Sequence, residues 1–86
     1  MSEGIEDRIV RVIATQLDMD TEEVEFGSFL MDDLGADPYD LEELANVLSE
    51  EFDVDISEED VEAWETVSDV IHFISEKLDE MDEDED

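Results

Sequence analysis

The chain has 86 residues, of which 41% are hydrophobic, so it can form one small domain with a modest core but no deep active site. Its 32 acidic and 3 basic residues give a net charge of -29, which would repel nucleic acid and anionic membranes and attract basic protein surfaces. It has no cysteine, so disulfide bonds and thiolate chemistry are excluded. Because the sequence contains neither a signal-peptide pattern nor a membrane span, we expect a monomeric cytoplasmic protein.

The first predicted helix runs from Glu3 to Leu17. Its apolar residues recur at helical spacing along one face, at Ile5, Ile9, Val12, Ile13 and Leu17. The other face carries Arg8 and Arg11, two of the three cations in the chain. They could pair with Asp7 or Asp18, or bind a partner, and exposed ion pairs of this kind contribute little to stability.

A long connection, residues 18–36, follows the first helix and contains Gly27 and Gly35. A short helical turn is predicted within it, from Thr21 to Val24. The segment carries five large apolar residues, at Val24, Phe26, Phe29, Leu30 and Leu34. Because a structureless loop of this length is unusual in a small domain, we expect it to pack onto the helices.

The second predicted helix runs from Pro38 to Phe52. Asp37 is its predicted N-cap, Pro38 occupies the first helical position, and Asp40 adds a negative charge at the positive end of the helix dipole. The predicted core face comprises Leu41, Leu44, Ala45, Leu48 and Phe52. The outer face comprises Asp40, Glu43, Asn46, Val47, Glu50 and Glu51.

Two further helices are predicted, which makes the fold all-α. Ser57, with Asp60 three residues later, marks a short third helix from Glu58 to Trp64. Thr66 caps the fourth, whose apolar face comprises Val67, Val70, Ile71, Ile74 and Leu78. Lys77 is expected to stabilise the C-terminal end of this helix. The acidic run at 79–86 is predicted to be a disordered tail.

The chain shows no specific metal site and no catalytic group. Asp18 and Asp53 each begin a segment that starts like a calcium-binding loop, but both segments lack the glycine at position six and the glutamate at position twelve. Loose binding of divalent cations to clustered carboxylates is still expected. His72 has no cysteine, serine or second histidine at ligand or triad spacing, so we interpret it as an exposed structural histidine and the protein as a non-enzyme.

The segment Gly35-Ala36-Asp37-Pro38-Tyr39-Asp40 resembles the Gly-(Ala or Ile)-Asp-Ser-Leu-Asp motif of the acyl carrier proteins. In that family the serine hydroxyl carries 4'-phosphopantetheine. The resemblance extends over nearly the whole chain and implies a small four-helix bundle of acyl-carrier-protein type at 1–78, with a long loop after the first helix and a short third helix. It also implies that Pro38 occupies the attachment position. Because proline has no hydroxyl, no cofactor is expected.

The resemblance further implies a docking surface on the second helix, since family members dock there on basic patches of their enzymes. The matching carboxylates, which we call the docking face, are Asp37, Asp40, Glu43 and Glu50. The expected partners are therefore enzymes of lipid metabolism, such as fatty acid or polyketide biosynthesis. Tyr39 and Asn46 depart from the family pattern, which usually has leucine and an apolar residue there. Trp64 lies near the end of the family's acyl cavity, where it could fill the cavity or simply form part of the core.

The leading hypothesis is an acyl-carrier-like interaction module that cannot be charged with phosphopantetheine at the usual position. One alternative is a genuine carrier modified at Tyr39, Ser28 or Ser49, or an ordinary carrier altered at Pro38 and Tyr39. Another is an acidic decoy that imitates nucleic acid or sequesters basic proteins. The extreme acidity would also suit a salt-loving organism.

Overall fold

The computed structural model describes residues 4–83, with side chains described as far as 80. Four α-helices lie within this range, together with a short 3₁₀ turn at Thr21–Glu23. The helices are α1 (Ile5–Leu17), α2 (Pro38–Phe52), α3 (Glu58–Glu62) and α4 (Val67–Glu83). The predicted all-α bundle, with its long first loop and short third helix, is confirmed.

Helix α1 begins at Ile5, with Gly4 as an extended N-cap, so the predicted start at Glu3 was too early. Residues 1–3 lie outside the described range. Ile9 and Ile13 are fully buried, as the spacing predicted. Arg8 pairs with neither Asp7 nor Asp18 but donates a hydrogen bond to Glu51 on α2 at 3.1 Å, and its guanidinium lies 4.6 Å from the centre of the Phe52 ring.

Helices α1 and α2 end in the same way, on an aspartate in the left-handed conformation. Asp18 and Asp53 both have a φ of 58°. Asp and Asn are the residues after glycine that adopt this conformation most readily, and it lets the terminal amide bond a carbonyl of the last turn. The Asp53 amide donates to Ser49 O, and the Asp18 amide donates to Thr15 O at 3.3 Å.

The connection between α1 and α2 is only partly packed onto the helices. Val24 and Leu30 are buried and Leu34 is half-buried, as predicted. Phe26 and Phe29 are 52% and 47% exposed, so the prediction is wrong for these two aromatic side chains. Backbone hydrogen bonds hold this stretch in place, so its position does not depend on burying the two aromatic side chains.

Those bonds join the connection to the junction of α3 and α4. The amide of Leu30 donates to Glu65 O at 2.9 Å, and the amide of Val67 donates to Ser28 O at 3.0 Å. An isolated antiparallel bridge pairs Phe29 with Thr66. The middle of the connection is thereby held against the segment that joins α3 to α4.

Helix α3 ends at Glu62, two residues before the predicted end. Ala63 forms a turn after it, and the amide of Trp64 donates to Val61 O at 3.1 Å. The predicted capping box of Ser57 and Asp60 is confirmed. The core formed by the four helices and the connection consists of apolar side chains, and no polar or charged side chain of the described residues is buried.

Helix α4 begins at Val67, after the predicted cap at Thr66, but it extends to Glu83 rather than ending near Leu78. The predicted disordered tail is therefore helical at 79–83. An anchored helix can propagate at little cost, and the glutamate and methionine residues of this segment have high helix propensity. Lys77 consequently lies before the last turn, so its predicted role at the helix end is wrong. Its ammonium lies 5.5 Å from the centre of the Phe73 ring. Residues 84–86 lie outside the described range.

Candidate functional site

The start of α2 is held by a reciprocal capping box. The amide of Asp40 donates to Asp37 Oδ1 at 2.8 Å, and the amide of Asp37 donates to Asp40 Oδ2 at 3.2 Å. Asp37 is extended, with φ -108° and ψ 174°, which is the conformation favoured before proline. Pro38 follows at the first helical position, as predicted, and is exposed. The backbone at residue 38 is therefore fixed and accessible, but the side chain there has no hydroxyl.

The loop before α2 presents this position at the surface. Gly35 has a φ of 78°, a conformation that a residue with a Cβ rarely adopts. Ala36 is buried, and its amide donates to Leu30 O at 2.9 Å. The amide of Phe29 donates to Asp33 Oδ2 at 2.8 Å. Each residue of the Gly-Ala-Asp motif thus has a structural role. Gly35 makes the turn, Ala36 packs in the core and Asp37 caps the helix.

Tyr39 is the residue beside Pro38 and is 66% exposed. The negative charge of Glu43, together with a hydrogen bond between the two side chains, raises the pKa of the phenol above its ordinary value of 10.0. A higher pKa means that less phenolate forms near neutral pH.

The two candidate serines are engaged in local hydrogen bonds. Ser49 Oγ is partly buried and donates to Val54 O at 2.6 Å, where it fastens the end of α2. Ser28 Oγ accepts from the amide of Glu25 at 3.2 Å within the first loop. Neither hydroxyl lies in the capping turn that presents Pro38.

The docking face lies along one side of α2. Asp40, Glu43 and Glu50 are spaced three and seven residues apart, which places them on one helical stripe, and Asp37 precedes them at the N-cap. Asp37 and Glu50 are exposed, whereas Asp40 and Glu43 are partly buried. The structure therefore brings the four predicted carboxylates onto one side of the helix. Their role in binding a partner stays a prediction.

A groove of about 530 Å³ opens beside Pro38, between α2 and α3. Its apolar wall includes Leu41, Ala45, Ile56, Val61 and Trp64, and Met31 of the first loop lies at its side. Its acidic wall residues are Glu42, Glu58 and Glu62. These three glutamates are exposed. No lysine or arginine of the described residues lines the groove.

Trp64 belongs both to the core and to the groove wall. Its side chain is buried and meets the Phe73 ring edge-on, with the ring centres 5.6 Å apart. The indole Nε1 is buried and has no hydrogen-bond acceptor in the described part of the chain. An unpaired buried donor of this kind costs about 1–3 kcal/mol. The interpretation of Trp64 as a core residue is confirmed. It lines the groove, and the interpretation that it fills an acyl cavity stays a prediction.

The remaining candidates are placed at the surface. His72 is exposed and lies 2.8 Å from a carboxylate oxygen of Glu76, one helical turn away. Among residues 4–80, whose side chains are described, no group of three or more acidic or histidine side chains is arranged to hold a metal ion. No helix within residues 4–83 is long and apolar enough to cross a bilayer.

A protein-family model matches most of the chain. The family model described as "Phosphopantetheine attachment site" matches residues 7–74, which include the capping box and both walls of the groove. The chain belongs to the acyl carrier protein family.

Relatives support the same assignment. An acyl carrier protein from Clostridium perfringens is 40% identical over 70 residues, which cover 81% of this chain and 92% of the relative. The solved acyl carrier protein from Thermotoga maritima is 26% identical with a TM-score of 0.75, and the match covers 86% of each chain. An apo doublet acyl carrier protein from prodigiosin biosynthesis, 24% identical with a TM-score of 0.73, shares the fold over 85% of this chain and 35% of its own. Acyl carrier proteins are carriers and not enzymes, which agrees with the interpretation of the chain as a non-enzyme.

The acidic rim of the groove was not predicted from the sequence. Glu42 and Glu62 were assigned no role there, and Glu58 was named only as the start of the third helix. The i, i+4 spacing of Glu58 and Glu62 shows that they share one face of α3, but nothing local indicates that Glu42 of α2 lies across the groove from them.

Proposed function

We propose that this chain is an acyl-carrier-like protein-interaction module that docks on enzymes without carrying a phosphopantetheine arm at residue 38. The observation that carries the proposal is Pro38 itself. It stands where the family motif has its attachment serine, at the first position of α2, exposed and next to a capping box. Attachment needs a hydroxyl oxygen to attack the phosphate of coenzyme A, and proline offers none.

The other hydroxyls make poor substitutes. Ser49 Oγ donates a hydrogen bond to Val54 O. Ser28 precedes the turn at Gly35, whereas the attachment position follows it. The Tyr39 phenol is adjacent but extends farther from the backbone than a serine hydroxyl, and group transfer tolerates a displacement of about 1 Å poorly. These arguments favour a module that is never charged over a carrier charged elsewhere.

Mass spectrometry tests the proposal directly. The full chain is incubated with coenzyme A and a promiscuous phosphopantetheinyl transferase, with an ordinary acyl carrier protein in the same tube as a positive control. We expect no mass gain for the native chain. Pro38→Ser combined with Tyr39→Leu restores the motif wording and is expected to gain one phosphopantetheine.

The result that overturns the proposal is a gain of one phosphopantetheine by the native chain. Peptide mapping would then decide between Tyr39, Ser28 and Ser49. Mass spectrometry of protein purified from its native source would also detect a phosphopantetheine added by a transferase specific to this chain.

We further propose that cytoplasmic enzymes of fatty acid or polyketide synthesis, bearing basic patches, are the partners and that they meet the docking face. Rim charges mostly control the association rate and its salt dependence, so reversing Glu43 and Glu50 to lysine should slow association and weaken its response to salt. The matched control reverses Asp79 and Glu80, two exposed carboxylates on α4. Equal effects of both reversals would indicate the acidic decoy, which attracts cations from any side.

A further inference from the structure

We propose that Asp33 and Asp69 are positioning residues that hold the first loop against the segment before α4 and thereby fix the turn that starts α2. They form what we call the clasp, which consists of the bridge between Phe29 and Thr66 together with these two aspartates. The inference rests on the proposed function in one respect, because it takes the start of α2 as the surface that a partner meets.

The bridge leaves the amides of its two facing residues without a partner across it. Its hydrogen bonds come from their neighbours, since the amide of Leu30 donates to Glu65 O at 2.9 Å and the amide of Val67 donates to Ser28 O at 3.0 Å. In an antiparallel pair, residues that lie between two such bonds direct their own amides outward. The amides of residues 29 and 66 therefore need acceptors from outside the bridge.

Two aspartates supply those acceptors, one for each segment. The amide of Phe29 donates to Asp33 Oδ2 at 2.8 Å, and the amide of Thr66 donates to Asp69 Oδ2 at 3.1 Å. The same Asp69 oxygen also accepts from the amide of Glu65 at 2.9 Å. Hydrogen bonds to an ionised acceptor are stronger than those between neutral groups. Each aspartate therefore fixes the backbone of one side of the clasp in the conformation that the bridge requires.

The loop side of the clasp leads to the cap of α2. Leu30, whose amide crosses the clasp, is fully buried, and its carbonyl accepts from the amide of Ala36 at 2.9 Å. Ala36 is buried in turn and is followed directly by Asp37, the N-cap of α2. A continuous series of hydrogen bonds thus runs from Asp69 across the bridge to the residue before the cap. We infer that loosening the clasp at Asp69 loosens the turn that presents residue 38.

Hydrogen exchange of the full native chain, followed by NMR at fixed salt, tests this coupling. Asp69→Ala should speed exchange of the Leu30 and Ala36 amides about threefold or more, which corresponds to the lower end of the net contribution of one hydrogen bond. The amide of Ile13, which is fully buried in α1, serves as the reference and should change less. Asp69→Asn removes the same charge but keeps a carbonyl oxygen that can accept both amides, so it should retain most of the protection.

The reverse experiment starts from the loop. Asp33→Ala should speed exchange of the Val67 and Ser68 amides, which donate across the clasp to Ser28 O and Phe26 O, because coupling between two sites is reciprocal. Asp32→Ala is the matched control, since it removes the neighbouring exposed carboxylate and should leave these two amides nearly unchanged.

Three results would overturn the inference. The first is faster exchange that stays within the segment of the aspartate that was changed, and the second is an equal effect of Asp69→Ala and Asp69→Asn. The third is an equal effect of Asp33→Ala and its control. If Asp69→Ala unfolds the whole domain, the Ile13 amide will exchange as fast as the others, and the variants at residues 32 and 33 then decide the question.

A functional measurement uses the variant with Pro38→Ser and Tyr39→Leu. In that background, Asp69→Ala should lower the rate of phosphopantetheine transfer at saturating coenzyme A relative to Asp69→Asn, because group transfer tolerates a displaced acceptor poorly. Equal rates would overturn the link between the clasp and residue 38. The exchange measurements need neither coenzyme A nor a transferase. A native chain that gains phosphopantetheine would therefore overturn the proposed function alone, and unchanged exchange would overturn the clasp alone.

Discussion

Replacing Pro38 with serine should destabilise the domain even though it restores the serine of the family motif. Pro38 lies at the first helical position, where its missing amide hydrogen has no partner to lose, since the first intrahelical bond runs from Leu41 N to Asp37 O at 3.0 Å. Asp37 already has the extended backbone that a following proline requires. The proline therefore costs nothing in the folded state while it restricts the unfolded chain.

The size of the effect follows from that restriction. A proline placed without strain stabilises a protein by about 0.4–1 kcal/mol through the lower entropy of the unfolded chain. Pro38→Ser should therefore lower the free energy of unfolding by about the same amount. In a domain of this size, such a loss lowers the melting temperature by roughly 2–8 °C. Pro38→Ala should do the same, because alanine also lacks the ring.

Urea denaturation at fixed salt, followed by circular dichroism and by Trp64 fluorescence, measures the change. With a slope of about 1 kcal/mol per molar urea, the midpoint should fall by roughly 0.4–1 M while the slope stays constant. Asp37→Ala serves as a control for loss of the cap and should cost about 0.5–2 kcal/mol. If both Pro38 variants unfold at the native midpoint, the entropic role assigned to the proline is wrong.

Three further measurements test the electrostatics of the fold. The melting temperature should rise with sodium chloride and further with magnesium or calcium, because screening relieves the repulsion among unpaired carboxylates; a flat response would contradict this. Hydrogen bonds from the backbone amides of residues 65 and 66 lower the pKa of Asp69 below its ordinary value of 3.8. The ionised carboxylate therefore stabilises the fold fully above pH 3.8, and this stabilisation is lost as the pH falls through the lower folded pKa. Asp69→Asn should reduce the loss of stability that urea titrations record in that acid range. Glu43→Gln should bring the pKa of Tyr39 back toward 10.0 in an ultraviolet titration, which is unambiguous because the chain has a single tyrosine.

Local signals explain why α2 could be predicted to the residue. Asp37, Pro38 and Asp40 form a start signal whose parts lie within four consecutive positions, and the structure contains the complete capping box. The apolar spacing predicted the buried face of the helix correctly, because helical periodicity alone decides which side chains share a face. The same reasoning placed the cap of α3 at Ser57.

Features that depend on distant parts of the chain could not be predicted in this way. The Arg8 ion pair joins residues 43 positions apart, and the exposed Phe29 is fixed by a bridge to Thr66. The groove depends on the angle at which α3 returns to α2, which no periodicity encodes. The length of α4 was underestimated because a run of carboxylates looks disordered by composition, although it follows a helix that is already anchored.

Pro38 stands at a position where the fold makes few demands. The first residue of a helix needs no amide hydrogen and lies at the surface, so serine and proline can both occupy it without moving Asp37 or Asp40. The bundle and the capping box therefore do not depend on which of these two residues stands there. For the same reason, a match to the family fold does not decide whether a member carries phosphopantetheine, and the mass of the protein after incubation with coenzyme A and a transferase does.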